Sequence, residues 1–218
     1  MHARALIPIL AEQFGVEPNT AVIIDRALAD GGIRNKGKGR NYPEMTREEA
    51  LSFLLACMTT SKPTRAFEEV EVWRHARGRV NQPPPKDSSG WDDDDEEDTR
   101  EVAMHHARME RELASLRDAQ GDIELHRYLA ALCALIEAGK IAPLSIELKT
   151  VISHGTATVT FFNFDNEHVA VDTFKTHKPD APARRRQFEA EIKTATSVNG
   201  SALLEIALRT ARPAAMGG

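Results

Sequence analysis

The sequence contains little cysteine and no long apolar run. Its 218 residues include two cysteines, Cys57 and Cys133, which lie far apart in apolar helical patterns. We expect both to be small buried side chains in a reducing compartment rather than a disulfide or a metal pair. No stretch of about 18 apolar residues is present, so we expect no membrane span. Residues 1–6 lack the pattern of a secretory signal, and we therefore expect a cytoplasmic protein.

The sequence also lacks the excess of positive charge that is typical of a protein that coats nucleic acid. Its formal net charge is -5 at pH 7. The charges are nevertheless segregated, since residues 34–40 contain four cations and no acid, whereas residues 92–98 are seven consecutive acids. Local charge is for this reason more informative than the average.

Enzyme signatures are absent from the sequence. Gly37 and Gly39 lack the longer glycine spacing of a phosphate-binding loop, and no serine or cysteine lies in the context of a nucleophile. His105, His106 and His126 have no acidic or cysteine partner at the spacing of metal ligands. We expect no catalytic residue, no metal ligand and no cofactor.

Residues 7–33 show the apolar pattern of a helix-turn-helix, with a first helix over about 3–14 and a second over about 18–31. Ala11 occupies a position where two helices pack closely, and Gly15 a position where the turn needs a positive φ. Pro18 suits the first turn of the second helix, where its missing N–H has no cost. The two helices are expected to bury apolar surface against each other at Leu10, Phe14, Val16, Ala21 and Ile24.

The periodicity of the chain predicts a mainly α protein with a small antiparallel sheet, which is an α+β fold. Residues 1–61 are expected to form a tri-helical helix-turn-helix domain, whose third helix begins at Thr46 with a capping pair to Glu49. Residues 62–98 are expected to form a connector. It contains a short helix from Phe67 to Arg77, followed by a proline-rich and acidic linker that we expect to be extended or disordered.

Residues 99–212 are expected to form a C-terminal α+β domain of helix, three-stranded meander and helix. Helical patterns cover residues 99–118 and 122–139. The period then changes to an alternation that predicts three strands, separated by turns at His154-Gly155 and Asp165-Asn166. A last amphipathic helix is predicted from Ser201 to Arg212.

The order of residues in the first two helices and just after them matches a known pattern. The matching residues are Leu10-Ala11, Gly15-Val16, Asn19-Thr20, Ala27-Leu28 and Gly31/Gly32-Ile33. In this order the segment resembles the winged helix-turn-helix of GntR-type bacterial regulators. The resemblance implies that the second helix enters the major groove of DNA and that a glycine-bearing wing follows it. Residues 34–40 lie where a wing or a phosphate-gripping loop would lie, and their cations would release counterions from DNA.

The candidate DNA contacts lie on the second predicted helix and in the basic loop behind it. Asn19 has the chemistry to read adenine, and Arg26 to read guanine or a phosphate. The same helix carries Glu17, Asp25 and Asp30, so most of the cations must come from the loop. The complete set of candidates is Asn19, Thr20, Arg26, Arg34, Asn35, Lys36, Lys38 and Arg40.

These patterns predict a phage-associated transcriptional regulator that binds duplex DNA in a sequence-directed way. The phage context follows from a weaker resemblance to uncharacterised bacteriophage and prophage proteins, matched at Leu28 to Ile33, the basic loop and Met45-Thr46. We expect a homo-oligomer formed through the C-terminal domain, because two copies double the phosphate contacts. That domain is also a candidate for contacting a second protein. Two alternatives stay open: a DNA-packaging protein resembling a small terminase subunit, and a protein-binding module in which the acidic run is the active feature.

Overall fold

The computed structural model describes residues 3–36, 44–79, 111–141, 146–162, 168–176 and 195–210. Lys38, Arg40, the acidic run of residues 92–98 and residues 99–110 of a predicted helix lie outside these ranges. No described helix is long and apolar enough to cross a membrane.

Three helices form the N-terminal part of the structure: α1 (Ala3–Phe14), α2 (Pro18–Asp30) and α3 (Arg47–Thr59). All three were expected from the apolar periodicity, and each packs against the other two. Thr46 caps α3, since its hydroxyl accepts a hydrogen bond from the Glu49 N–H at 3.2 Å. The Glu49 carboxylate accepts one in return from the Thr46 N–H at 2.7 Å. The predicted capping pair is therefore confirmed.

The first part of the predicted connector belongs to the folded core. A 3-10 turn (Pro63–Arg65) leads into helix α4 (Ala66–Arg74), and the chain then enters strand β1 (Arg77–Arg79). The short helix is confirmed, but it ends earlier than the sequence predicts because Arg77 begins a strand. Its buried side chains are Ala66, Val70 and Trp73.

Six strands form one antiparallel sheet in the described residues, in the order β2-β1-β5-β4-β3-β6. Besides β1, they are β2 (Ile123–Glu124), β3 (Ile146–Val151), β4 (Thr156–Phe162), β5 (His168–Lys175) and β6 (Ala195–Asn199).

The predicted meander is confirmed as β3, β4 and β5, which pair in sequence order. The turn predicted at His154-Gly155 lies between β3 and β4, and Gly155 has φ 60 there. The turn predicted at Asp165-Asn166 lies outside the described residues. Strands β1, β2 and β6 are not predicted, because they are short and show no run of alternating apolar residues. The α+β class is correct, but the sheet is twice as wide as the sequence indicates.

Two helices cover one face of this sheet. They are α5 (Leu125–Glu137) and α6 (Gly200–Thr210), which pack against each other and against α3. Helix α5 starts later than predicted because Ile123 and Glu124 pair with β1. Buried Tyr128 of α5 packs against Phe174 in a tilted arrangement, with 4.9 Å between ring centroids and 60° between the ring planes. Its hydroxyl donates a hydrogen bond to the buried Asp172 carboxylate. Desolvation and the Asp172 charge raise the pKa of Tyr128 well above its usual value.

The buried apolar residues form one continuous cluster. It runs from Leu6 in α1 to Ala207 in α6 and includes Trp73 of the predicted connector. Cys133 is fully buried, and burial raises the pKa of its thiol to about 12. The N-terminal helices and the sheet therefore share one apolar core.

We predict that Gly31→Ala destabilises the protein by about 1–3 kcal/mol, through overpacking. Gly31 ends α2, and a Cβ at this position would lie 2.1 Å from Cδ2 of Phe67 in α4. Urea denaturation of the variant measures the loss. Phe67→Ala removes the two closest contacts of the added methyl group and leaves the Cβ of residue 67 at 2.8 Å, so Gly31→Ala should cost less in that background. Equal costs in the two backgrounds would contradict this explanation.

Candidate nucleic-acid interface

The turn between α1 and α2 fixes the direction of α2. The N–H of Val16 donates to the carbonyl of Ala11 at 2.9 Å, and Gly15 adopts φ 60 to allow the reversal. Ala11 is 4% exposed, so the close approach of the helices leaves no room for a larger side chain. Ala21 and Ile24 then bury one side of α2 against the core, which leaves the opposite side exposed.

The exposed side of α2, which we call the outer face, consists of Asn19, Val22, Ile23, Arg26 and Asp30. These positions follow the three- and four-residue spacing that places side chains on one side of a helix. Two of the sequence candidates therefore share this face, Asn19 and Arg26. Thr20 follows Asn19 directly in the chain, but it is half-buried and does not belong to the outer face.

Arg34 is buried, and the expectation that it contacts DNA is not consistent with this position. It is 7% exposed, and its Nη2 donates to Oδ2 of Asp25 at 2.8 Å. The Nε atom lies 2.7 Å from Oδ1, a charge contact that does not have hydrogen-bond geometry. Its partner, Asp25, is on the inner side of α2, nine residues earlier in the chain. Arg34 therefore anchors the start of the basic loop instead of presenting a cation to a ligand.

The Asp25 carboxylate is held in a desolvated position. Burial raises the pKa of Asp25 above its ordinary value, while the charge of Arg34 acts in the opposite direction. Burial also raises the pKa of the Cys57 thiol to about 12, with a smaller contribution from the nearby Asp25 charge. Asp25 and Arg34 therefore form a buried ion pair, and removing one partner would leave the other as an uncompensated buried charge.

Glu49 connects the start of the basic loop to the N-terminus of α3. One carboxylate oxygen accepts the N–H of Asn35 at 2.8 Å, and the other accepts the N–H of Thr46 at 2.7 Å. Glu49 is 8% exposed, so these hydrogen bonds are largely shielded from water. Asn35 takes part in this contact through its backbone N–H, and the residue itself is exposed.

Lys36 lies at the C-terminal end of the outer face. Its Nζ is 2.7 Å from Oδ1 of Asp30, and both side chains are about 60% exposed. The Lys36 hydrogen bond and charge lower the pKa of Asp30. An exposed pair of this kind contributes at most about 1 kcal/mol, so Lys36 can exchange Asp30 for a phosphate at low cost.

The structure adds two cations that the sequence does not identify as candidates. Arg65 lines the same groove as Arg26, a cavity of about 480 Å³ between α2 and the start of α4. Lys62 directly precedes the 3-10 turn and is exposed. Arg65 pairs with Glu68 at 2.7 Å, and this pair raises the pKa of Arg65. Both cations were missed because residues 62–65 were assigned to a connector, although Lys62 and Arg65 flank a proline that signals a turn.

The charges on and beside the outer face are mixed. Arg26 lies on the face, and Lys36 and Arg65 lie next to it, where they pair with Asp30 and Glu68. Exposed Glu17 precedes the first turn of α2. Arg26 and Lys62 form no ion pair with another described residue. The described residues also contain no group of three or more His, Cys, Asp or Glu that could hold a metal ion.

We predict that Arg34→Met destabilises the protein by about 3 kcal/mol, because it leaves Asp25 as a buried charge without a partner. Combining it with Asp25→Leu should recover most of this loss, since neither charge then remains. Urea denaturation curves measure both effects. Lys36→Met is the matched control, because it breaks an exposed pair and should change the free energy of unfolding by less than about 1 kcal/mol. Equal effects of Arg34→Met and Lys36→Met would contradict the anchoring role.

Comparison with protein-family models, with curated proteins and with solved structures found no match to this chain. The resemblances to GntR-type regulators and to phage proteins therefore stay predictions from the sequence.

Proposed function

We propose that this protein binds duplex DNA through α2, as a phage-associated transcriptional regulator in the cytoplasm. The observation that carries the proposal is the outer face of α2, which presents Asn19 and Arg26 together, with Lys36 and Arg65 beside them. This face belongs to the second helix of a helix-turn-helix unit whose glycine turn has the positive φ that the sequence predicts. The second helix of such a unit is the one that enters the major groove.

The shape of the surface supports an approach to DNA. The major groove is about 12 Å wide and admits one α-helix. The outer face projects from the core because its opposite side, at Ala21 and Ile24, is buried. The 3-10 turn that carries Arg65 lies beside α2, where Arg26 and Arg65 line the same protein cavity. With α2 in the major groove, Lys36 and Arg65 would lie beside the phosphates and Arg26 near the base edges.

The electrostatics indicate modest affinity for a single copy. Lys36 and Arg65 must leave Asp30 and Glu68 before they contact phosphate, and few other described cations surround the face. A homodimer formed through the sheet-containing part of the chain would double the number of contacts. Lys38 and Arg40 would add charge to the same loop in each copy.

The expected result of an Arg65→Ala substitution is weaker binding to all duplex sequences, with the slope of log K against log salt reduced by about one. Arg26→Ala should instead reduce discrimination between sequences, by about 1–3 kcal/mol at the affected position. Titrations of random-sequence and selected duplexes at several salt concentrations measure both quantities.

Arg209→Ala is the matched control for Arg65→Ala. Arg209 is an exposed arginine on α6 that pairs with Glu205, as Arg65 pairs with Glu68. The control should bind DNA like the wild type. If the wild type binds no duplex even at low salt, or if Arg65→Ala and Arg209→Ala weaken binding equally, the proposal fails.

Oligomeric state on DNA separates the regulator from the packaging alternative. A dimer with a twofold-symmetric footprint supports regulation, whereas a ring of more than two copies supports a role like that of a small terminase subunit. Light scattering that shows a monomer at micromolar concentration would remove the dimer from the proposal. If alanine at Lys36, Lys38 and Arg40 leaves function intact, the protein-binding alternative is favoured instead.

A further inference from the structure

We infer that Val22 and Ile23 recognise the C5 methyl groups of thymines in the major groove of duplex DNA. The inference rests on the proposed function and names the bases that the same face would select. It comes from the composition of the outer face, where two apolar side chains lie between polar and charged ones.

Val22 and Ile23 are unusual among the exposed side chains. They are 38% and 42% exposed, and they follow each other directly in the chain. Among the described residues, the other exposed large apolar side chains are Val171 and Leu208, which lie singly on different elements. Single exposed apolar residues are common on protein surfaces and need no explanation. An adjacent pair on the most exposed side of a helix is better explained by a ligand with apolar groups.

The surroundings of the pair identify the chemistry of that ligand. Ile23 lines the same groove as Arg26 and Arg65, and Lys36 lies at the C-terminal end of the outer face. Around the helix axis, Val22 and Ile23 lie about 100° apart, on either side of Asn19 and Arg26. The surface therefore has apolar groups beside a polar centre, with Arg26, Arg65 and Lys36 close to them. A complementary ligand carries apolar groups beside negative charge. The major groove has this arrangement, because phosphates border it and the thymine methyl is the apolar group on its base edges.

The spacing along α2 places these contacts in order. Asn19 and Arg26 are seven residues apart, which corresponds to about 10 Å along a helix axis. Base pairs follow one another at about 3.4 Å, so the outer face covers about three steps of DNA. Val22 and Ile23 lie between the two polar residues. The favoured half-site therefore has one or two thymines between an adenine read by Asn19 and a guanine read by Arg26.

Replacing thymidine by deoxyuridine in the DNA tests the inference, because it removes the methyl group and leaves every hydrogen-bonding group in place. The probes are random-sequence duplex pools, one made with thymidine and one with deoxyuridine, together with the best duplex selected from the thymidine pool. The wild type should bind the deoxyuridine form of the selected duplex about fourfold more weakly for each contacted methyl. Its selected sites should also contain thymine at the middle position.

The variants separate recognition of the methyl from general loss of binding. Val22→Ala and Ile23→Ala should weaken binding to the thymidine duplex and should lose the difference between the two forms. Leu208→Ala is the matched control, since it removes an exposed apolar side chain on α6 and should keep the difference. Thermal unfolding of each variant confirms that it is folded.

Three results would overturn the inference. If the wild type binds both forms equally, the methyl contact is wrong while duplex binding stands. If the alanine variants keep the full difference, the methyl is read by other residues. If the wild type binds neither form, the inference and the proposed function fail together.

Discussion

The Glu49 carboxylate connects three parts of the N-terminal structure that are separate in the chain. It accepts the N–H of Asn35 at the start of the basic loop and the N–H of Thr46, the cap residue of α3, and its own residue lies in the first turn of α3. The buried Asp25–Arg34 pair adds a second attachment, from the loop to α2. Buried polar contacts of this kind are costly unless every member has a partner, so they favour one position for Arg34 and Asn35. The position of Lys36 beside the outer face follows from these attachments.

The elements with strong periodicity were predictable from the sequence. Helices α1, α2 and α3 and the meander β3, β4 and β5 have patterns of apolar residues that fit a single period, and the positive φ values of Gly15 and Gly155 follow from their positions in turns. Strand β1 was not predictable, because Arg77-Gly78-Arg79 has no apolar residue and becomes a strand through pairing with β5. The pairing of β1 with β2 likewise shortens the start of α5. Hydrogen bonds to strands distant in the chain thus determine the secondary structure of these segments, which their local sequence pattern does not predict.

The candidate site was predictable in part for a similar reason. The exposure of Asn19 and Arg26 follows from the spacing of the apolar residues on α2. The burial of Arg34 does not, because its partner Asp25 is one acid among several on that helix and only the folded loop selects it. Arg65 was missed since the groove that unites it with Arg26 forms between residues almost forty positions apart. A set of candidate cations chosen by closeness to α2 in the sequence therefore includes Arg34, which is buried, and omits Arg65, which lines the same groove as Arg26.

Strand β1 has a consequence for how the chain folds. It follows α4 directly, yet it lies between β2 and β5, so a segment from the first part of the chain completes a sheet made mostly from the last part. The N–H of Leu125 donates to the carbonyl of Ala76 at 2.8 Å, which ties the start of α5 to the same junction. About ninety residues separate β1 from β5, and closing a loop of this length costs chain entropy before the pairing can stabilise it. The helices that present α2 and the sheet are therefore expected to gain their stability in one cooperative transition, with a high contact order and slow folding for a protein of this size.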